Sequence, residues 1–154
     1  MKRDAQVPCM TGHSTGMAYP ILSEIAQRLQ TLVDQNQPAS IDLRSLPLTQ
    51  ADRDELEEML GRGEVSIRCE LAGPTQIWET AYAGVWWIRH MGADERVATE
   101  EIAVTHIPDI LLSQPDDVAE AALRIRRDLA AGFKPDHDHD IGTAGKTGLE
   151  APHV

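Results

Sequence analysis

The run Gly63-Glu-Val-Ser-Ile-Arg-Cys-Glu-Leu-Ala72, then Gly73-Pro74, then Thr75-Gln-Ile-Trp-Glu-Thr-Ala-Tyr-Ala-Gly-Val-Trp-Trp-Ile-Arg-His90 decides the fold. Val65, Ile67, Cys69 and Leu71 alternate with Ser66, Arg68, Glu70 and Ala72, the period-two pattern of a half-buried strand. Gly73-Pro74 turns the chain. Thr75 to Tyr82 reads as a second strand and Val85 to His90 as a third, with Gly84 a bulge or bend between them; one long bent strand fits equally. Met91 to Asp94 is a hairpin loop, and Arg96 to His106 the last strand, with Ala98, Ile102 and Val104 on one face. The expected sheet is an antiparallel meander of three to four strands.

Working outward, helices flank it. Ile21, Leu22, Ile25, Leu29, Leu32 and Val33 recur at helical spacing over Tyr19–Gln35, and Pro38 ends that helix. Ser40 to Leu43 is a short extended piece. Thr49 with Asp52 three residues on forms a variant capping box for a helix from Gln50 to Leu60, with Gly61 past its end. Pro108 to Leu112 is one helical turn. Ser113 and Pro115 open a last helix, with Asp116 and Asp117 where the dipole favours negative charge and Val118, Ala122, Ile125 and Leu129 as its stripe. The fold class is therefore α+β, a small antiparallel sheet with about three helices. Residues 1–17 read as a flexible arm, 18–132 as one domain, and 133–154 as a disordered tail rich in His, Asp and Gly.

Composition narrows the partners. The chain has 154 residues, 42% hydrophobic and 25% charged, as in ordinary globular domains. Its net charge of −11 repels nucleic acid and anionic membranes and attracts basic polypeptide. Lys2 and Arg3 precede no apolar run, so no secretory signal is read here, and a cytoplasmic setting is expected. Cys9 and Cys69 are then free thiols, too few for a disulfide scaffold.

Several motifs compete for function. Gly12-His13-Ser14-Thr15-Gly16 matches the spacing of a hydrolase nucleophile elbow but lacks the strand-to-helix setting. Gly145-Lys146-Thr147 resembles the end of a phosphate loop, yet Asp140 stands where its first Gly belongs. His137 and His139, set among Asp136, Asp138 and Asp140, with His153, suit nickel or zinc. Cys9 and Cys69 are candidate metal or cluster ligands without a Cys-x-x-Cys pair. Glu79, His90 and His106 are the acid and imidazoles on the sheet. Trp86 and Trp87 are adjacent in a strand and so face opposite ways. One should be buried and the other exposed, forming with Trp78, Tyr82 or Ile88 an apolar patch for a partner.

Six segments together resemble a known family. They are Tyr19–Ile25, Ile41–Leu48, Leu60–Val65, Gly73–Thr80, Gly84–His90 and Ile102–Pro108. Their sequence and intervals are similar to the C-terminal conserved region of the HupH/HyaF/HoxQ hydrogenase expression/formation proteins, over about residues 18–130. The resemblance implies an accessory protein, not an enzyme and without a cofactor, for maturation of uptake nickel–iron hydrogenase. It implies binding to the iron–sulfur small subunit before assembly and export, or to other hydrogenase accessory proteins. Family blocks fall on Gly63–Glu64, Glu79–Thr80, Gly84–Trp86 and Val104–Pro108. The expected partner surface is Trp78, Glu79, Thr80, Gly84, Trp86, Trp87 and His90. Trp78 stands where the family pattern suggests a polar residue, and family members are often longer than this chain. The alternative is delivery of metal or an iron–sulfur cluster by His137 and His139 or by Cys9 and Cys69. Homodimer formation stays open.

Overall fold

The computed structural model describes residues 12–70 and 73–133. They fall into two compact units that divide between Leu112 and Ser113. The first contains α1 (Ala18–Gln35), β1 (Ala39–Asp42), α2 (Gln50–Leu60), β2 (Ser66–Glu70), β3 (Pro74–Glu79), β4 (Val85–Met91) and β5 (Val97–Val104), then a 3-10 turn at Asp109–Leu111. The second contains α3 (Pro115–Ala130), with Pro115 in its first turn, Asp116 and Asp117 beside it and Arg127 in its last turn. No residue of α3 is buried; Val118, Leu123, Ile125 and Leu129 are exposed.

The sheet has five strands rather than three or four, in the order β1-β5-β4-β3-β2, all antiparallel. The meander β2–β5 is as the alternation implies. The added strand is the short piece at Ala39–Asp42, which pairs Ile41 with Ile102 on the far edge. Thr80 to Gly84 separates β3 from β4, so these are two strands of a hairpin. Gly84 adopts φ +82°, a conformation that costs a residue with a Cβ.

Local chemistry sets the helix ends. Asn36 takes the left-handed conformation that closes α1 and donates its N–H to Leu32 O. At α2, the Thr49 hydroxyl accepts from Asp52 N while the Asp52 carboxylate accepts from Thr49 N, a complete capping box.

The sheet has two apolar faces. On one, Ile41, Trp78, Val85, Trp87, Ile102 and Val104 pack with Ala18, Ile21, Ile25 and Leu32 of α1 and Leu56 and Leu60 of α2. Val33, read as part of the α1 stripe, is exposed. On the other face, Ile77, Trp86, Ile88 and Ala103 form a smaller cluster, flanked by Ile67, Cys69 and Leu111. Burying one indole removes about 200 Å² from water and contributes about 5 kcal/mol, an upper estimate. The paired indoles of Trp78 and Trp87 are thus the largest single element of the first core.

Candidate functional site

The tryptophans do not form a bare patch. Trp86 and Trp87 face opposite ways, as strand geometry requires, but both are buried, at 6% and 0% exposure, and Trp78 is 1% exposed. The expectation of an exposed indole is overturned: both faces of the sheet carry a packed cluster. Thr80 is also buried, while Glu79, Gly84 and His90 are half-buried. Trp78, Thr80, Trp86 and Trp87 can therefore shape a surface but offer little contact area themselves.

What they shape is one end of the sheet. There the backbone N–H of Gly63 donates to Glu79 O, Ala81 N to Leu60 O, Thr80 N to Val85 O and Thr105 N to Gly84 O. Trp86 Nε1 donates to Thr105 O at 3.1 Å, tying β4 to the turn after β5. The segments around residues 63, 79–84 and 104–108, remote in sequence, thus converge on one rim. Gly63 lies so close to Thr80 that an added Cβ would meet its carbonyl oxygen at 2.6 Å. The Glu79 carboxylate accepts from Gly84 N, and the Thr80 hydroxyl both accepts from Tyr82 N and donates to Tyr82 O. These bonds fix a tight loop that holds the Tyr82 ring out, 54% exposed. His106 and Ile107 are exposed on the same rim, His106 paired with Asn36 Oδ1. Residue patterns alone placed Tyr82 only as a neighbour of the tryptophans; the tight loop is its true setting.

A second polar region lies between α2 and the sheet. Glu100, only 3% exposed, accepts from Trp87 Nε1 at 3.0 Å and from Arg89 Nε at 2.9 Å, and pairs with Arg53 at 3.3 Å. Arg89 also reaches Glu57, which holds Arg62 at 2.7 Å. The Arg62 guanidinium sits over the Trp78 ring, 4.1 Å from its centroid. A cleft of about 600 Å³ opens over this network. Glu100, the buried charge of this network, is thus matched by two arginines. Sequence reading passed over Glu100, although it lies two residues from Ile102 and so points to the core face.

The remaining candidates are dispersed or tied up. Glu79 is bonded to Gly84, His90 Nδ1 to the Thr75 hydroxyl at 2.6 Å, and His106 to Asn36, so the three do not converge. Among the described residues no group of three His, Cys, Asp or Glu is placed to hold a metal. Cys69 is half-buried against the smaller cluster. The Ser14 hydroxyl donates to the carboxylates of Glu55 and Asp52 rather than to an imidazole. Residues 12–17, read as part of an arm, are anchored instead: Thr15 gives its N–H and hydroxyl to Asp52, and Thr49 donates to His13 O. Burial alone would raise the Asp52 pKa. The N–H groups of Thr49 and Thr15 and their hydroxyls outweigh that and hold it well below the ordinary carboxylate range. Cys9, His137, His139, His153 and Gly145 to Thr147 lie outside the described residues.

Together these features define a small α+β domain with one heavily shaped sheet end. The chain belongs to the family described as "HupH hydrogenase expression protein, C-terminal conserved region", whose model matches residues 16–131. It is similar to the solved structure of the hydrogenase expression protein HupH from Thiobacillus denitrificans, at 39% identity and a TM-score of 0.75, over 77% of this chain and 99% of that one. It is 34% identical to the hydrogenase expression/formation protein HupH of Rhodobacter capsulatus over 59% of this chain and 33% of the relative. It is 30% identical to HoxQ of Azotobacter vinelandii over 58% of this chain and 31% of the relative. The chain thus spans about a third of the length of these curated relatives. No helix among the described residues is long and apolar enough to cross a membrane.

Proposed function

We propose that the chain serves in maturation of an uptake nickel–iron hydrogenase, as a domain that holds the iron–sulfur small subunit before assembly and export. The observation that supports this most is the meeting of four separate family-like blocks at one sheet end, around an exposed tyrosine. Backbone-to-backbone bonding of remote loops, reinforced by a buried indole, fixes that rim in one shape. A fixed rim suits recognition, because little ordering entropy is lost on contact. The mechanism is binding, with Tyr82, Glu79, Gly84, His106 and Ile107 offering the contact and His90 lying further along β4. The net charge of −11 favours a basic segment nearby.

The experiment is capture of the small-subunit precursor by the purified protein. Tyr82→Ala and His106→Ala should fold normally and lower capture, Tyr82→Ala by about thirtyfold if it is a contact hot spot. Wild-type capture by both variants removes the sheet end from the reading. Metal analysis of untagged protein separates binding from delivery through His137, His139, Cys9 or Cys69. A metal-free protein that still supports hydrogenase assembly excludes delivery.

A further inference from the structure

Among the described residues, strand β2 is an edge of the sheet, paired only with β3. Glu79 N donates to Val65 O, and the β2–β3 register continues that pairing to Ile67 with Ile77 and Cys69 with Thr75. Antiparallel alternation then turns the N–H and C=O groups of Ser66, Arg68 and Glu70 outward. Such an edge accepts another strand.

Two arginines lie along the flank of this edge. Ser66 and Arg68 lie on the face of Trp78 and Gln76, their cross-strand partners. These four residues and Arg62 line a groove of about 340 Å³. Arg68 has no ion-pair or hydrogen-bond partner among the described residues. Arg62 is half exposed, bonded to Glu57 through one nitrogen, with further donors to offer. Trp78 Nε1, fully buried, has no hydrogen-bond partner among the described residues, which is uncommon for an indole N–H.

We propose that the β2 edge docks an extended segment of a partner polypeptide carrying one carboxylate side chain, received by Arg68 and Arg62. This rests on the reading that the domain acts by binding a polypeptide. The incoming backbone pairs with Ser66, Arg68 and Glu70, and its residue opposite Arg68 places a side chain in the groove. Arg62 already faces Glu57, so the attraction comes chiefly from Arg68, which has no ion pair among the described residues; exposed charges beyond about 8 Å are screened at physiological salt. A second copy is the rival occupant that the test must separate: centring β2 on Arg68 sets like charges opposite, whereas centring it on Cys69 would set Arg68 against Glu70.

The test uses blocked peptides, acetyl-Thr-Val-Thr-Glu-Thr-Val-Thr-amide and its Gln counterpart, titrated calorimetrically into the full chain. The Glu peptide should bind about tenfold tighter than the Gln peptide, the size of one charge-assisted hydrogen bond. Arg68→Gln should erase that difference. Ser66→Pro removes an outward N–H while sparing the β3 ladder, and should weaken both peptides. Equal affinities, no binding of either peptide up to about 5 mM, or free glutarate binding as well as the Glu peptide each overturns the proposal. So does a dimer in sedimentation that Arg68→Glu dissolves. Lost peptide binding with intact precursor capture sinks this inference alone; lost capture with intact peptide binding sinks the sheet-end reading alone.

Discussion

Trp78 and Trp87 stack on adjacent strands, ring centroids 5.6 Å apart and planes within 9° of parallel. The pair is capped by Arg62 on one ring and tethered by the bond from Trp87 Nε1 to Glu100. Trp87→Phe keeps most of the apolar surface but leaves a Glu100 oxygen with one donor fewer. It should cost about 1–3 kcal/mol in urea unfolding. Trp87→Ala opens a large void as well and should cost about 3–5 kcal/mol. Neither variant is a clean probe of partner binding, since both act on the core.

Glu100 itself anchors two arginines. Glu100→Gln is close to isosteric but removes the charge that Arg53 and Arg89 face. Both arginines are about a fifth exposed, so water softens the loss. The expected destabilisation is about 2–3 kcal/mol, below the ~3–5 of a fully buried pair broken on one side. Denaturant titration with an unchanged slope would confirm that stability alone has shifted.

Asp52 makes the attachment of residues 13–16 sensitive to acid. Its folded pKa lies below its ordinary 3.8, so the unfolded state takes up protons first as pH falls. Its contribution is therefore complete above about pH 4 and declines as acidity moves below 3.8 towards the folded value. Asp52→Asn loses that contribution at neutral pH. The stability gap between the two proteins should be widest near neutrality and narrow below pH 3.8. Limited proteolysis near Ser14 should cut the variant faster at pH 7. A gap that is flat down through the acid range would contradict this account.

Gly63→Ala is the test of the sheet end that leaves its side chains alone. The new Cβ would fall 2.6 Å from Thr80 O, and the obstacle is backbone, so the rim must move. A cost of about 1–3 kcal/mol is expected, the range for overpacking. Capture of the small-subunit precursor should weaken more than the thermal shift alone explains. Gly12→Ala, which meets nothing within 4 Å among the described residues, is the control and should behave as wild type.

Local patterns carried much of this structure. The alternation from Val65 to Cys69, the Thr49–Asp52 box and the opposed directions of Trp86 and Trp87 were all legible from residue order. Each depends on chemistry within a few positions. The pairing of Ile41 with Ile102 was not legible, because a four-residue segment carries almost no periodicity. Nor was the sealing of Trp86, since strand alternation fixes direction but not what lies above the face. The grip of Asp52 on Ser14 and Thr15 spans nearly 40 positions and leaves no local trace. The rim around Tyr82 was half legible: its blocks were visible along the chain, but only folding brings them side by side.

The strand at Ala39–Asp42 has a consequence for how the molecule is made. Its partner lies 61 positions later, so a growing chain that has emerged only as far as β4 holds this segment with nothing to pair. Synthesis from the N-terminus thus supplies both outer helices well before the ladder they rest on can close. Until Val104 leaves the ribosome, the product should remain open to proteases and to chaperones.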